Sequence, residues 1–257
     1  MIESADIEAI ERATLEAVAP EALLEFDGWL VGLDPGSIRR AASAVPLRHE
    51  LAADAVALDR IEAAYQAQGL LPAFRLADRP GLEAMAQDLT RRGYVSEQPT
   101  LVMVADIADV LTVTDQRPAE VTAQPEAAWA SVFLSEGFDP VDGADRVRAL
   151  TRSLDARFGQ VTEGGRTVAV GCGSYSHGWA SFHGMRTDMI QRGKGYAGRV
   201  LAGLAAEAQA RGIRRAFLQV EEKNTGAQSL YRRAGFEVAW RYFYWSRRVP
   251  SINTRAR

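Results

Sequence analysis

Apolar positions recur at helical spacing over residues 6–19, where Ile7, Ile10, Leu15 and Val18 fall near one face. A short apolar segment, Trp29–Leu33, comes next, and the pattern predicts a strand over Ser37–Val45. Leu51, Ala55, Leu58, Ile61 and Tyr65 form a second helical stripe within Leu51–Gln68, closed by Gly69. A strand at Ala73–Leu76, a helix over Gly81–Arg92 and a strand at Pro99–Ala105 complete the first half. Residues 106–124 hold Pro118 and scattered Asp, Thr and Gln without a period, and read as a boundary. Beyond it two helices are predicted, one opened by Pro125 and one by Asp139-Pro140 as N-cap and first-turn proline. Strands at Thr167–Cys172 and Trp179–Met189 lead to a helix over Tyr196–Ala210. A strand at Arg214–Glu221, a helix at Thr225–Ala234 and a strand at Phe236–Trp245 follow. Ser246–Arg257 is basic and aperiodic, the pattern of a frayed tail.

The two halves share a weak repeat. Gly69-x3-Ala73-Phe74 parallels Gly212-x3-Ala216-Phe217, and Leu89-Thr90-Arg91-Arg92-Gly93-Tyr94 parallels Leu230-Tyr231-Arg232-Arg233-Ala234-Gly235-Phe236 with one inserted residue. Helices precede both at about residues 51 and 196, so a strand–helix–strand–helix–strand order recurs, as a duplication would produce.

Composition narrows the function classes. A chain of 257 residues accommodates one large or two ordinary domains. Its single cysteine, Cys172, excludes a disulfide framework and a multi-cysteine zinc site, and fits a cytoplasmic protein. No apolar run is long enough to span a membrane, and the acidic start, Met1 to Glu11, does not read as a signal peptide. The net charge of −3 hides a gradient: residues 1–118 carry −10 and residues 119–257 carry +7. A basic half facing an anion is one reading of that asymmetry, and drift of surface charge is the other. Nucleic acid is not the expected partner, because the basic residues are dispersed and the aromatics of Phe236–Trp245 alternate as in a strand.

Arg192-Gly193-Lys194-Gly195-Tyr196-Ala197-Gly198 lies between a predicted strand and a predicted helix. Glycines there let backbone N–H groups approach an anion, and the helix N-terminus adds partial positive charge. Arg192, Lys194 and Arg199 supply counter-charge for a phosphate-rich ligand. Gly193-x-Gly195-x-x-Gly198 also matches a dinucleotide fingerprint, with Glu221 and Glu222 near the ribose-binding position. However, Gln191-Arg192 interrupts the strand before it, and only one strand–helix–strand unit is present. A second constellation follows: Asn224 opens a short helix, Tyr231 stands two turns later, and Gly235 closes it. Asn224 reads either as a cap or as a ligand for amides. Tyr231 reads either as a packing residue or as a group facing the same cleft.

Together these residues resemble the GNAT family of acyl-CoA N-acyltransferases. Arg192-x-x-Gly195-x-Ala197 looks like its pyrophosphate loop, and Asn224…Leu230-Tyr231…Gly235-Phe236 looks like its Asn and catalytic-Tyr helix. The close match covers about Trp179 to Trp245. The resemblance implies an α+β fold in αβα layers, with a mixed, mostly antiparallel twisted sheet flanked by helices. With the repeat, it implies two tandem modules, a degenerate partial copy over residues 1–110 and a catalytic domain over 111–248, followed by a basic tail over 249–257. The first copy has Thr90 opposite Tyr231 in the sequence alignment and no pyrophosphate loop. The proline common before such loops is replaced by Met189-Ile190-Gln191.

The implied activity is N-acetyl transfer from acetyl-CoA to a primary amine of a small molecule or peptide, without a metal. Arg192, Gly193, Lys194, Gly195 and Ala197 would hold the pyrophosphate, while Thr187 and Asn224 would hold the pantetheine arm. Such transfer needs a neutral amine, a held carbonyl and a protonated leaving thiol. Tyr231 is the expected acid. The base position twelve residues before it is Gln219, which cannot accept a proton, so Glu221 on the same strand face is the expected base. Glu222 and His183 stand in reserve. A non-catalytic module that binds coenzyme A is the alternative, and self-association into a homodimer stays open.

Overall fold

The computed structural model describes residues 2–50, 54–135 and 139–247. Its first half runs α1 (Ser4–Val18), β1 (Ala22–Phe26), β2 (Trp29–Leu33), β3 (Ala44–Pro46), α2 (Ala55–Ala67), β4 (Ala73–Ala77), α3 (Glu83–Arg91) and β5 (Val95–Asp106). A connecting stretch holds α4 (Ile107–Leu111) and β6 (Glu120–Thr122). The second half continues with α5 (Ala127–Ser131), α6 (Pro140–Arg152), β7 (Ala156–Glu163), β8 (Arg166–Ser176) and β9 (Trp179–Thr187). It ends with α7 (Tyr196–Ala210), β10 (Arg215–Glu221), α8 (Thr225–Arg233) and β11 (Glu237–Ser246).

All eleven strands join one sheet in the order β1-β2-β3-β4-β11-β5-β10-β9-β8-β7-β6. Only β3–β4 and β9–β10 pair in parallel; the other pairs are antiparallel. The order at the centre is an exchange. β11 inserts between β4 and β5, while β5 lies between β11 and β10, so each half places its last strand against the other half. Helices cover both faces. On one, α7 packs on β7, β8 and β9 through Val200, Leu201 and Leu204, and α2 and α3 pack on β2 and β4 through Leu58, Ile61 and Leu89. On the other, α1 seats Ile10 and Ala13 against Trp179, Phe217 and Tyr242. Glu11 and Arg75, both almost wholly buried, form an ion pair of 2.6 Å beneath that helix. Burial raises the pKa of this carboxyl, and the adjacent guanidinium opposes that rise.

The sheet shows where the sequence pattern misleads. Ser37–Val45 is a strand only from Ala44; before it, the N–H groups of Ala41 and Ala42 both bond the Ile38 carbonyl and curl the chain into a turn. β1, β6 and β7 lie outside the predicted strands, and the aperiodic boundary contains α4 and β6. Helix α2 begins at Ala55, where the Asp54 carboxylate accepts from the Val56 and Ala57 N–H groups; Leu51 lies outside the described residues. Pro125 precedes α5 rather than entering its first turn, whereas Asp139 and Pro140 open α6 as expected. Ser246 belongs to β11 and not to the tail, and 249–257 lie outside the described residues.

The repeat survives in the helix ends. The N–H of Tyr94 bonds the Leu89 carbonyl and that of Phe236 bonds the Tyr231 carbonyl, each at 3.0 Å, with Gly93 and Gly235 both left-handed. These caps place Leu89, not Thr90, opposite Tyr231. The Phe74–Phe217 match does not survive: Phe74 faces α2 and Phe217 faces α1. A slip of one residue in a strand sends the side chain to the other face.

Candidate active site

β9 and β10 run together only from Trp179–Arg215 to Phe182–Leu218, then part. A bulge helps: His183 pairs with Cys172 and Arg186 with Val170, so β9 carries an extra residue around Gly184, whose φ is +61°. The gap opens a cleft of about 480 Å³ through the sheet, lined from one side by Tyr231 and Asn224 and from the other by Arg40, Arg146, Tyr242 and Tyr244.

Tyr231 projects from α8 against Phe236, with ring centroids 6.1 Å apart, and is 8% exposed. Its hydroxyl has no hydrogen-bond partner among the described residues. Burial pushes its pKa up to about 12, opposed by the nearby Arg40 charge, so it stays protonated at neutral pH. Asn224 caps α8 by accepting from the Ala227 N–H at 3.2 Å through Oδ1, and it also lines the cleft. The cap reading of Asn224 therefore holds.

Glu221 shares the cleft with Tyr231 but is held: Gln98 Nε2 donates to it at 3.0 Å, and Lys223 Nζ lies 2.8 Å from its other oxygen. Gln219, two residues earlier, accepts from the Tyr242 hydroxyl and donates to Thr14 of α1, both at 2.9 Å. His183 is buried on the cleft wall, with Nδ1 3.3 Å from Ser181 Oγ and no partner for Nε2 among the described residues. Burial first, then the Arg40 charge, push its pKa down to about 3, which leaves it neutral and a very weak base. Glu222 stands outside the cleft lining and pairs with Arg241 at 3.4 Å.

Thr187 ends β9, opposite Ala169, and the chain then makes a single 3₁₀ turn, Met189–Gln191, where the resemblance leads one to expect proline. Gly193 and Gly195 take φ of +80° and +82°, and Gly195 is the N-cap of α7. Left-handed backbone at two positions is what curls this loop, and side chains there would be strained. Among the described residues, no protein group accepts from the N–H of Gly193, Lys194, Gly195, Tyr196 or Ala197. Five free donors at the head of a 15-residue helix make an anion cradle. Lys194 donates to Gln191 Oε1 at 2.7 Å, and Arg199 is committed to Glu163 and the Arg117 carbonyl, each at 2.8 Å, so Arg199 is not free counter-charge. The mostly antiparallel sheet and the intervening turn also dispose of the dinucleotide reading.

Sequence reasoning missed Arg40, Gln98, Arg146, Arg186, Tyr242 and Tyr244. The Arg39-Arg40 pair within the expected strand Ser37–Val45 was the visible signal. Among the described residues no group of His, Cys, Asp or Glu is arranged to hold a metal, and no helix is long and apolar enough to cross a membrane.

A mostly antiparallel sheet parted between two parallel strands, with a glycine turn at the head of the following helix, defines the GNAT acyltransferase fold. The chain belongs to the family described as "Probable histone acetyltransferase Rv0428c C-terminal", which matches residues 4–245. Solved structures agree on the fold. A GCN5-related N-acetyltransferase from Kribbella flavida superposes with a TM-score of 0.70 at 17% identity, covering 96% of this chain and 97% of that one. A GCN5-related N-acetyltransferase from Sphaerobacter thermophilus gives 0.53 at 19% identity, over 95% and 92%. A tandem GNAT protein from the clavulanic acid biosynthesis pathway gives 0.60 at 14% identity, over 93% and 86%. No curated protein sequence matches the chain.

Proposed function

We propose that this protein transfers an acetyl group from acetyl-CoA directly to a primary amine, with Tyr231 as the general acid. The observation that carries the reading is the placement of Tyr231. Its protonated, unpartnered hydroxyl lines the gap between β9 and β10, and β9 runs from that gap to five free amides. Residues 192–197 offer the pyrophosphate its donors, and Arg192 and Lys194 add charge at the exposed rim. Beyond Phe182, β9 has no partner on its β10 side among the described residues, so its free edge suits the amide-bearing pantetheine arm. Asn224 lines the same cleft, and among the described residues its amide NH2 is free of protein acceptors for that arm. Backbone N–H groups on this edge would also meet the oxyanion as the amine attacks.

The amine must lose a proton and the departing thiolate must gain one. Glu221 is the cleft carboxylate available to accept, acting through water because Gln98 and Lys223 already hold its oxygens. Tyr231 supplies the thiolate proton. A thiol-release assay with acetyl-CoA over amines, amino acids and peptides tests the reading. Tyr231→Phe is expected to lower kcat by about 10²- to 10⁴-fold with little change in KM for acetyl-CoA. Unchanged turnover would remove Tyr231 from the acid role. Acetyl-CoA binding without thiol release for any amine would instead favour the non-catalytic module.

A further inference from the structure

Four arginines, Arg39, Arg40, Arg146 and Arg186, line the cleft, against the single carboxylate of Glu221 among its lining residues. Three of the four are answered. Arg39 pairs with Glu97 at 2.6 Å, and Arg146 and Arg186 share Asp142 at 2.7 and 3.3 Å. Arg40 has neither a carboxylate nor a hydrogen-bond acceptor for its guanidinium among the described residues. A half-buried guanidinium without an anion is costly in an apolar setting, and an arginine fork matches a carboxylate.

The backbone fixes where that charge stands. Ile38 and Ala41 wedge between Val18 of α1 and Ala149 of α6, and the Ala41 carbonyl rests on Gly32, where a Cβ would come within 2.3 Å of its oxygen. Arg40 therefore projects from a braced turn onto Phe182, His183 and Gln219, at the point where β9 and β10 begin to part. Coenzyme phosphates seated at 192–197 do not answer it. From Phe182 to Thr187 alone β9 advances about 16 Å, so the cradle beyond the strand's end lies well away from Arg40 at its middle.

Resting on the acetyltransferase reading, we infer that the acceptor is an amine carrying its own carboxylate, of the α-amino acid class, and that Arg40 binds this carboxylate. The unanswered charge of Arg40 serves the same end in a second way. A cationic cleft disfavours the ammonium form of the entering amine, so a weakly placed base is sufficient. The same field opposes a polycationic lysine-rich tail.

The test compares thiol release for α-amino acids, their α-amides and a lysine-rich peptide, in wild type, Arg40→Gln and Arg40→Lys. Calorimetry with N-acetylglutamate and its α-amide runs alongside, because it reads the subsite without turnover. Expected are a preference for the free carboxylate and a loss of about 10- to 100-fold in kcat/KM for that acceptor in Arg40→Gln. Partial rescue by Arg40→Lys and an unchanged KM for acetyl-CoA complete the expected pattern. Equal use of acid and amide, preference for the lysine-rich peptide, or a carboxylate preference indifferent to Arg40 would each overturn the assignment. Should no amine be acetylated, the transferase reading fails by itself. Carboxylate-selective, Arg40-dependent binding in the calorimeter would then still support the subsite, and its absence would refute it.

Discussion

At the scale of single residues, the cleft couples its reactive groups through one arginine. Arg40 acts on Tyr231 and on His183, and the two respond in opposite senses: it eases the ionisation of the phenol and hinders the protonation of the imidazole. The consequence for His183 can be measured as stability. Its folded pKa lies at about 3, below the usual imidazole value near 6.5, because burial and the Arg40 charge resist the proton. In the unfolded chain this imidazole protonates near 6.5, so its contribution is fully present above that pH. The contribution is lost as pH falls from about 6.5 toward about 3, at about 1.4 kcal/mol per pH unit for this one proton. Urea unfolding of wild type and His183→Asn between pH 4 and 7 checks it. The wild-type stability should fall more steeply with acid by that slope, whereas parallel curves would show that His183 is solvated. His49, also held low at about 4, titrates in both proteins and cancels in the comparison.

At the scale of elements, the parts legible in the sequence are those built from neighbouring residues. The α7 cradle depends on glycines at 193 and 195 taking left-handed backbone, and α8 depends on Asn224 and Gly235 at its ends, so local spacing reveals both. The rest of the site is assembled across the sheet. Gln98 meets Glu221 only because β5 pairs with β10, and Tyr242 meets Gln219 only because β11 crosses beside β5. Nothing in the spacing of these residues encodes that order. β7 escaped notice because its core face includes Gly159, whose small size admits Val200 and Leu204, so the expected apolar alternation is broken. The cradle itself carries a prediction. Gly195→Ala places a side chain on backbone at φ +82°, at about 1–2 kcal/mol for the left-handed conformation. KM for acetyl-CoA should rise about tenfold while KM for the amine hardly moves, and the unfolding midpoint should fall by only a few degrees. An unchanged KM for acetyl-CoA would separate the cradle from the proposed cosubstrate.

At the scale of the whole molecule, the exchange of β5 and β11 ties the proposed modules into one unit. β5 finds both of its strand partners, β10 and β11, in the second half, and β11 finds both of its partners, β4 and β5, in the first. Helix α1 adds a clasp. Thr14 bonds Gln219, Asp6 meets Arg215 at 2.8 Å, and Glu16 meets His177 at 2.8 Å, each reaching from the first half to the second. A fragment of residues 1–110 would leave both edges of β5 bare, and 111–257 would leave β11 without a neighbour; long unpaired edges favour aggregation over folding. The expected outcome is that neither fragment alone shows a cooperative thermal transition. The two expressed together should copurify through a tag on one and melt in a single step. A cooperative melt from 1–110 by itself would mean that the exchange is a late docking of finished domains. The same experiment bears on the chemistry, since Arg40 comes from one fragment and Tyr231 from the other. Thiol release restored only on mixing would show that the divided sheet is also a divided active site.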